Sequence, residues 1–256
     1  MDLLALLDRI LQLAERPLGM AEILAAVADH VSRPVDCAVV RDALLSCPNA
    51  AEIETDLWIE ASRIVDGRSF FAIPERGDLA VGRVCFVGSD LFFLMRQAVL
   101  RKEAVFVPAS GAEIAVTTSF EDTGYFYVHG LDAWYAAEGF VAESDSILVT
   151  VLDYRAGRYA IKRLPERELD EYVSRQTRES VCNWLALLAR REPERFPGRI
   201  DKSFSISGAL RLILAEHGNL FTGYPCNLSF FMSLDERFFV SGNQFALRSS
   251  MESEDF

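Results

Sequence analysis

Apolar side chains recur three and four positions apart near the start of the chain. Residues 2–15 follow this spacing, with leucine and isoleucine on one side and charged residues on the other, and residues 20–31 repeat it. Asp36 stands where the N-cap of a third helix would accept backbone N–H groups. The spacing therefore predicts three short amphipathic helices in succession.

The period changes from helical to alternating after the third helix. Residues 53–59 alternate as a strand does, with Ile53, Thr55, Leu57 and Ile59 on one face, and Asp66-Gly67 is a strong turn signal before a second apolar run at 69–73. We therefore predict a hairpin whose strands are these two runs. Three helices and a hairpin over residues 1–76 are the layout of a winged helix.

The middle of the chain has the clearest strand pattern. Residues 125–129 alternate around aromatic side chains, a short helical segment ends at Gly139, and the β-branched run 146–154 turns back at residues 155–157. Further strands are predicted at 79–87, 104–107, 114–120 and 158–163, and a further helix at 91–100. Residues 77–165 are thus predicted to form a β-rich domain.

A long helix over 166–191 is predicted to begin the last part of the chain. A second helix ending at Gly218, a third helix at 225–234 and a hairpin at 237–247 follow it. This order repeats the predicted order of the first 76 residues. Residues 166–256 are therefore predicted to be a second winged-helix layout, and the predicted fold class is α+β.

One packing pattern in the middle domain consists of Gly130-Leu131, Trp134, Phe140, Ser144-Asp145 and the run 147–151. It resembles the signature of the B-three DNA-binding pseudobarrel, found in plant transcription factors and as the effector-binding domain of some restriction endonucleases. Ser144 stands where that family usually has glycine. The resemblance covers about a third of the chain, and it implies duplex DNA lying across the open side of a barrel.

Both flanking segments share residues with a second family. Pro17-Leu18 and Glu22-Ile23 stand at the start of the second helix, and residues 234–238 (Leu-Asp-Glu-Arg-Phe) lead into the last hairpin. These residues are similar to those of HARE-type winged helices, although residues 47–50 lack the family's Asp-x-Arg-Phe pattern. This resemblance implies association with acidic accessory factors of transcription and with chromatin adaptors.

Charge and composition restrict the class of protein. Half of the 256 residues are apolar, which is enough for sizeable cores, and the net charge is −12. A surface of that sign repels phosphate overall, so contact with nucleic acid requires a local basic region. No apolar run is long enough for a membrane span, and the N-terminus lacks a basic signal-peptide region. We therefore expect a cytoplasmic protein with no membrane partner.

The chemically reactive residues form no catalytic pattern. The cysteines include no Cys-x-x-Cys pair and have no histidine at ligand spacing, so neither a zinc site nor a disulfide framework is predicted. His30, His129 and His217 are far apart, and phosphate loops, nucleophile elbows, His-Glu-x-x-His motifs and the Glu-x-Lys of restriction-type nucleases are missing. We predict a protein that is not an enzyme and holds no metal or cofactor.

Basic residues concentrate in one part of the chain. Residues 155–202 hold twelve basic residues against eight acidic ones, which is the best electrostatic footprint for nucleic acid in this sequence. With the pseudobarrel resemblance, the candidate phosphate contacts are Arg83, Arg96, Arg101, Lys102, Arg155 and Arg158. The leading prediction is non-catalytic duplex DNA binding, by a regulator or by the targeting subunit of a DNA-processing or defence assembly.

Two other functions fit the sequence. The carboxylates of Glu52, Glu54, Asp56 and Glu60 are predicted to share a strand face with Trp58. Such a face repels phosphate and suits an acidic protein-protein adaptor whose N-terminal module docks a partner through Trp58, unless Trp58 covers a neighbouring domain instead. Trp134 and the aromatic residues at 125–127 also allow a small-molecule-sensing barrel, although a role in the core explains them better.

Overall fold

The computed structural model describes residues 2–86, 88–94, 102–121, 125–166, 168–169, 175–200 and 202–248. Its helices are α1 (Leu3–Leu13), α2 (Met20–Ala28), α3 (Cys37–Ser46), α4 (Ser62–Val65), α5 (Arg76–Ala80), α6 (Asp132–Glu138), α7 (Arg175–Arg191), α8 (Ile206–His217) and α9 (Leu228–Ser233). Its strands are β1 (Leu18–Gly19), β2 (Ala50–Glu54), β3 (Leu57–Glu60), β4 (Ser69–Ala72), β5 (Arg83–Phe86), β6 (Glu103–Pro108), β7 (Ile114–Phe120), β8 (Phe126–His129), β9 (Asp145–Asp153), β10 (Arg158–Pro165), β11 (Phe204–Ser205), β12 (Phe238–Ser241) and β13 (Gln244–Leu247). The predicted α+β class is confirmed.

The N-terminal module comprises α1 to α3 and the antiparallel sheet β1-β3-β2. Asp36 caps α3 as predicted, and its carboxylate accepts the Ala38 N–H at 2.7 Å. The apolar sides of the three helices pack against Trp58 of β3. The module therefore has a hydrophobic core of its own.

The hairpin of this module is shorter than the sequence predicts. Its turn lies at Thr55-Asp56, where Asp56 has a left-handed φ of 63°. The predicted return strand 69–73 instead forms β4, which pairs with β9 in the central sheet. The predicted hairpin between 53–59 and 69–73 is therefore wrong. The reason is that the side chains of β4 are buried on both faces, which the large sheet allows and a small hairpin does not.

The central sheet has seven strands in the order β4-β9-β10-β6-β7-β8-β5 and is nearly closed. Its neighbouring strands are antiparallel except for the parallel pair β10 and β6. Buried aromatic side chains fill its interior, among them Phe70, Phe86, Phe106, Phe126 and Tyr159. The predicted succession of strand, short helix, strand and returning strand is confirmed as β8, α6, β9 and β10. The predicted barrel is thus present as a barrel-like sheet.

Two predicted elements of the middle domain differ from the structure. The predicted strand 79–87 begins only after Gly82, whose left-handed φ of 64° interrupts the extended backbone. A Cβ at this glycine would lie 2.7 Å from the backbone nitrogen of Asp132, so the turn requires glycine. Within the predicted helix 91–100, the described part belongs to the 3-10 turn Gly88–Phe93, and residues 95–100 lie outside the described residues.

The C-terminal module repeats the topology of the N-terminal module. Its elements are α7, β11, α8, α9, β12 and β13, and its sheet has the order β11-β13-β12. In each module the hairpin turn accepts the first N–H of the second helix: Asp56 O accepts it from Met20 at 3.1 Å, and Asn243 O accepts it from Ile206 at 3.0 Å. The predicted internal repeat is therefore present at the level of topology.

The C-terminal module shares one continuous core with the central sheet. Helix α8 packs against the 3-10 turn Gly88–Phe93 and also against β2 of the N-terminal module. Residues 175–191 of the predicted long helix 166–191 form α7, and residues 167 and 170–174 lie outside the described residues. The module is thus built into the body of the molecule.

Candidate nucleic-acid interface

Strands β6, β7, β8 and β5 present one side of the central sheet largely to solvent. Along β7, the side chains of Ala115, Thr117 and Ser119 are exposed, and the intervening side chains are buried. We name this side of the sheet the outer sheet face. Besides the three exposed side chains of β7, the strand pairing places on it Glu103 and Val105 of β6, Tyr127 and His129 of β8, and Arg83 and Cys85 of β5. Hydrogen-bonding groups therefore cover much of this face.

Arg83 is the cation that β5, the end strand, contributes to the outer sheet face. Its Nε donates to Asp78 Oδ1 at 2.7 Å, one of its terminal nitrogens donates to Glu121 Oε1 at 3.1 Å, and its guanidinium lies 3.9 Å from the Tyr127 ring centroid. The hydrogen bond to Asp78 raises the pKa of Arg83, against the effect of desolvation. Two carboxylates of the same chain thus balance the charge of this predicted phosphate contact.

Arg155 joins the central sheet to the N-terminal module. It forms ion pairs with the buried carboxylate of Glu60 and, at 2.7 Å, with Asp8. Burial acts to lower the pKa of Arg155, but the hydrogen bonds to the two carboxylates outweigh it and raise the pKa. In this structure the guanidinium is engaged inside the protein, which differs from the solvent-facing phosphate contact that the sequence predicts.

The other predicted phosphate contacts have mixed surroundings. Arg158 forms an ion pair with Glu113 at 2.6 Å, and about half of each side chain is exposed. Lys102 is exposed beside the start of β6, in a left-handed backbone conformation with φ 56°. Arg96 and Arg101 lie outside the described residues. The structure therefore brings Arg83, Lys102 and Arg158 to the central sheet, two of them within ion pairs.

Trp58, the predicted partner contact, is 1% exposed. Its ring lies in the core of the N-terminal module, and its Nε1 has no hydrogen-bond partner. The prediction that Trp58 lies on a polar surface is wrong, because the face of β3 that carries it is covered by the module's own helices. The side chain is not available to a partner protein in this structure.

The four carboxylates around Trp58 are likewise used within the chain. Each forms an ion pair with an arginine: Glu52 and Asp56 with Arg41, Glu54 with Arg195, and Glu60 with Arg155 and Arg63. Three of these arginines come from elements outside the hairpin and its flanking turn. The predicted acidic face is therefore neutralised and serves to hold the modules together.

The C-terminal module contains a basic cleft. None of its described lining residues was predicted from the sequence as a site residue. It has a volume of about 350 Å³, and its described lining contains Arg190, Arg199 and Lys202 together with Phe204, but no carboxylate. The Arg199 guanidinium lies 5.8 Å from the Phe204 ring centroid. Arg190 belongs to the last turn of α7, where a cation also balances the partial negative charge of the helix end. The excess of basic over acidic residues in 155–202 is the feature of the sequence that could have predicted this cleft.

The described residues offer little reactive chemistry. No group of three or more His, Cys, Asp or Glu among them could hold a metal ion. Burial raises the pKa of the Cys182 and Cys226 thiols to about 12, which keeps both unreactive near neutral pH. No described helix combines the length and the apolar character that crossing a membrane requires.

No protein-family model matches this chain, and no curated protein matches it. Among solved structures, a hypothetical protein of Arabidopsis thaliana is similar to part of it, at 10% sequence identity and a TM-score of 0.29. The match covers 40% of this chain and 95% of the Arabidopsis chain. At that TM-score the likeness is too weak to support a shared fold or function.

Proposed function

We propose that this protein binds duplex DNA without catalysis, as a regulator or as the targeting subunit of a DNA-processing or defence assembly. The basic cleft carries the proposal. Three cations, Arg190, Arg199 and Lys202, line it in a chain whose net charge is −12. Contacts from clustered Lys and Arg to phosphates supply most of the sequence-independent affinity for DNA.

The finer fold assignment belongs to the same proposal. Both terminal modules are proposed to be winged helices, and the central sheet a B-three-like pseudobarrel. The common order of helix, strand, helix, helix and hairpin supports the first assignment, and the nearly closed sheet supports the second. The third helices do not provide the DNA contact in this proposal, because Arg41 of α3 is paired with Asp56 and most of α9 is apolar.

The outer sheet face has the secondary role of orienting the duplex. The Thr117 hydroxyl can donate to phosphate or base edges, while Ser119 Oγ and His129 Nε2 are hydrogen-bonded to each other at 2.7 Å. Exposed ion pairs such as that of Arg158 and Glu113 contribute about 1 kcal/mol or less, so a phosphate can displace the carboxylate at small cost. Lys102 adds an exposed cation at the start of β6.

The adaptor hypothesis has no described contact in its favour. Trp58 is buried, and the carboxylates of the first hairpin are paired inside the protein. A protein partner for the acidic N-terminal module is the alternative explanation, and it would replace DNA binding if the protein did not bind the duplex.

Fluorescence anisotropy with a random-sequence duplex tests the proposal. We expect the double variant Arg199→Ala with Lys202→Ala to bind about tenfold more weakly than the wild type at about 100 mM salt, because two phosphate contacts are lost. The matched control is Arg16→Ala with Arg175→Ala, which removes two exposed arginines elsewhere and should leave affinity unchanged. Equal binding by both double variants would remove the basic cleft from the interface.

A further inference from the structure

A cavity of about 510 Å³ lies where β4 and β5, the end strands of the central sheet, meet the C-terminal module. Phe71 and Ile73 line it from the side of β4, Cys85 from β5, and Phe230 and Val240 from the C-terminal module. This volume is within the range of cavities that bind small molecules. The cavity shares no described lining residue with the basic cleft, and Cys85 is the residue that it shares with the outer sheet face.

Aromatic rings form the walls of this cavity. Phe71 and Phe230 meet edge to face, with their centroids 5.3 Å apart and their planes at 83°. Tyr125 stands at the rim and is 46% exposed. The exposed ring of Tyr125 can cover one side of an apolar ligand, and the two phenylalanines can contact another side.

The charged groups of the cavity all have one sign. Glu75, Asp78 and Asp90 contribute to the described lining, which includes no lysine or arginine. Asp78 already holds Arg83 at 2.7 Å, so Glu75 and Asp90 remain as the carboxyl groups for a ligand. Anions are therefore repelled from this cavity, and cations are attracted to it.

The floor of the cavity is fixed by Asn227. Its side-chain oxygen accepts the Phe71 N–H at 2.7 Å, and its side-chain nitrogen donates to the Phe71 carbonyl at 2.9 Å and to Asp90 Oδ2 at 3.0 Å. Ser89 Oγ lies 3.4 Å from Asp90 Oδ1. An ionised carboxylate accepts about four hydrogen bonds, so Asp90 keeps acceptor capacity for a ligand.

We propose that this cavity binds a small organic amine. The apolar body of the amine lies against Phe71, Phe230 and Tyr125, and its ammonium group lies against Asp90 and Glu75. Charge-assisted hydrogen bonds from the ammonium to the carboxylates, and apolar contact between the body of the amine and the aromatic rings, both favour this orientation. A carboxylate or phosphate ligand of the same size is excluded by the sign of the lining.

Isothermal titration calorimetry with three probes of similar shape tests the proposal. At about pH 8 we expect phenethylamine to bind, 2-phenylethanol to bind at least about tenfold more weakly, and 3-phenylpropionate to give no heat. Burial raises the pKa of Asp90 to about 7, so this pH keeps its carboxyl group mostly ionised. Equal binding of all three probes, or no binding of phenethylamine, would overturn the proposal.

Two variants locate the site. Asp90→Asn keeps the size of the side chain and an oxygen for Asn227, and we expect it to bind phenethylamine about tenfold more weakly than the wild type. Glu15→Gln changes an exposed carboxylate on the N-terminal module and should bind phenethylamine as the wild type does. If Asp90→Asn matched the wild type while it kept its fold by circular dichroism, the cavity would not be the amine site.

Discussion

Asp90 is a carboxyl group that the fold keeps away from water. It is 8% exposed, and burial raises its pKa to about 7, while hydrogen bonds from Ser89 and Asn227 act in the opposite direction. The pKa of an aspartate in an unfolded chain is about 3.9. Between these two values the folded protein holds a proton that the unfolded chain releases. The free energy of unfolding therefore falls as the pH rises through this window.

Asp90→Asn should remove this pH dependence. We expect the stability of the wild type relative to Asp90→Asn to fall by on the order of 2 kcal/mol between about pH 5 and about pH 8. Urea unfolding followed by circular dichroism at each pH measures the difference. A difference between the two proteins that stays constant with pH would show that Asp90 titrates like an exposed aspartate.

Trp58 occupies the position in the N-terminal module that Phe245 occupies in the C-terminal module. Trp58 of β3 pairs with Leu18 of β1, and Phe245 of β13 pairs with Phe204 of β11. Both rings are 1% exposed. A large aromatic side chain is therefore buried at the same position on the middle strand of both modules.

Trp58→Ala should destabilise the protein by about 3–5 kcal/mol, because it leaves a cavity among the three helices. Trp58→Phe should cost less, since it keeps most of the apolar volume and removes the buried Nε1 that has no partner. Urea unfolding of both variants measures the effect. If Trp58→Ala were as stable as the wild type, Trp58 would not be a core residue, and this result would support its role as a partner contact.

At the scale of elements, arginines bridge segments that are far apart in sequence. Arg155, in the turn between β9 and β10, contacts Asp8 of α1 across 147 positions. Arg195 contacts Glu54 of β2, and the hydrogen bond to that carboxylate is the main cause that raises the pKa of Arg195. These pairs fix how the N-terminal module lies on the other two parts of the molecule.

Arg155→Met separates this structural role from a phosphate contact. We expect it to lower stability by on the order of 2 kcal/mol, because the buried carboxylate of Glu60 loses its closest partner. Duplex affinity should stay within about twofold of the wild type. Unchanged stability combined with weaker DNA binding would instead support the phosphate contact that the sequence predicts for Arg155.

Local pattern predicted the elements whose partners are near in sequence. β8, α6, β9, β10 and the hairpin β12–β13 follow from side-chain period and turn residues, because each pairs or packs with a close neighbour. The position of β4 could not be predicted in this way, since its partner β9 lies far along the chain. The ion pair of Arg155 escaped prediction for the same reason, because a charge pattern does not identify a partner across 147 positions.

At the scale of the whole molecule, ion pairs within the chain engage most of the charged residues that the sequence marks as binding residues. The predicted contacts Arg83, Arg155 and Arg158 all lie in ion pairs, and the first hairpin's carboxylates do as well. The basic cleft brings three cations, Arg190, Arg199 and Lys202, together in one lining. Binding to duplex DNA on this account is electrostatic and comes from a small part of the surface.

The salt dependence of duplex binding by the wild-type protein tests this account most directly. Three cleft cations and Lys102 predict that the logarithm of the binding constant falls with the logarithm of salt concentration with a slope of about −3 to −4. Fluorescence anisotropy between about 50 and about 200 mM salt gives this slope. A slope near zero, or no duplex binding at the lower salt concentration, would contradict a phosphate-binding cleft and favour a protein partner.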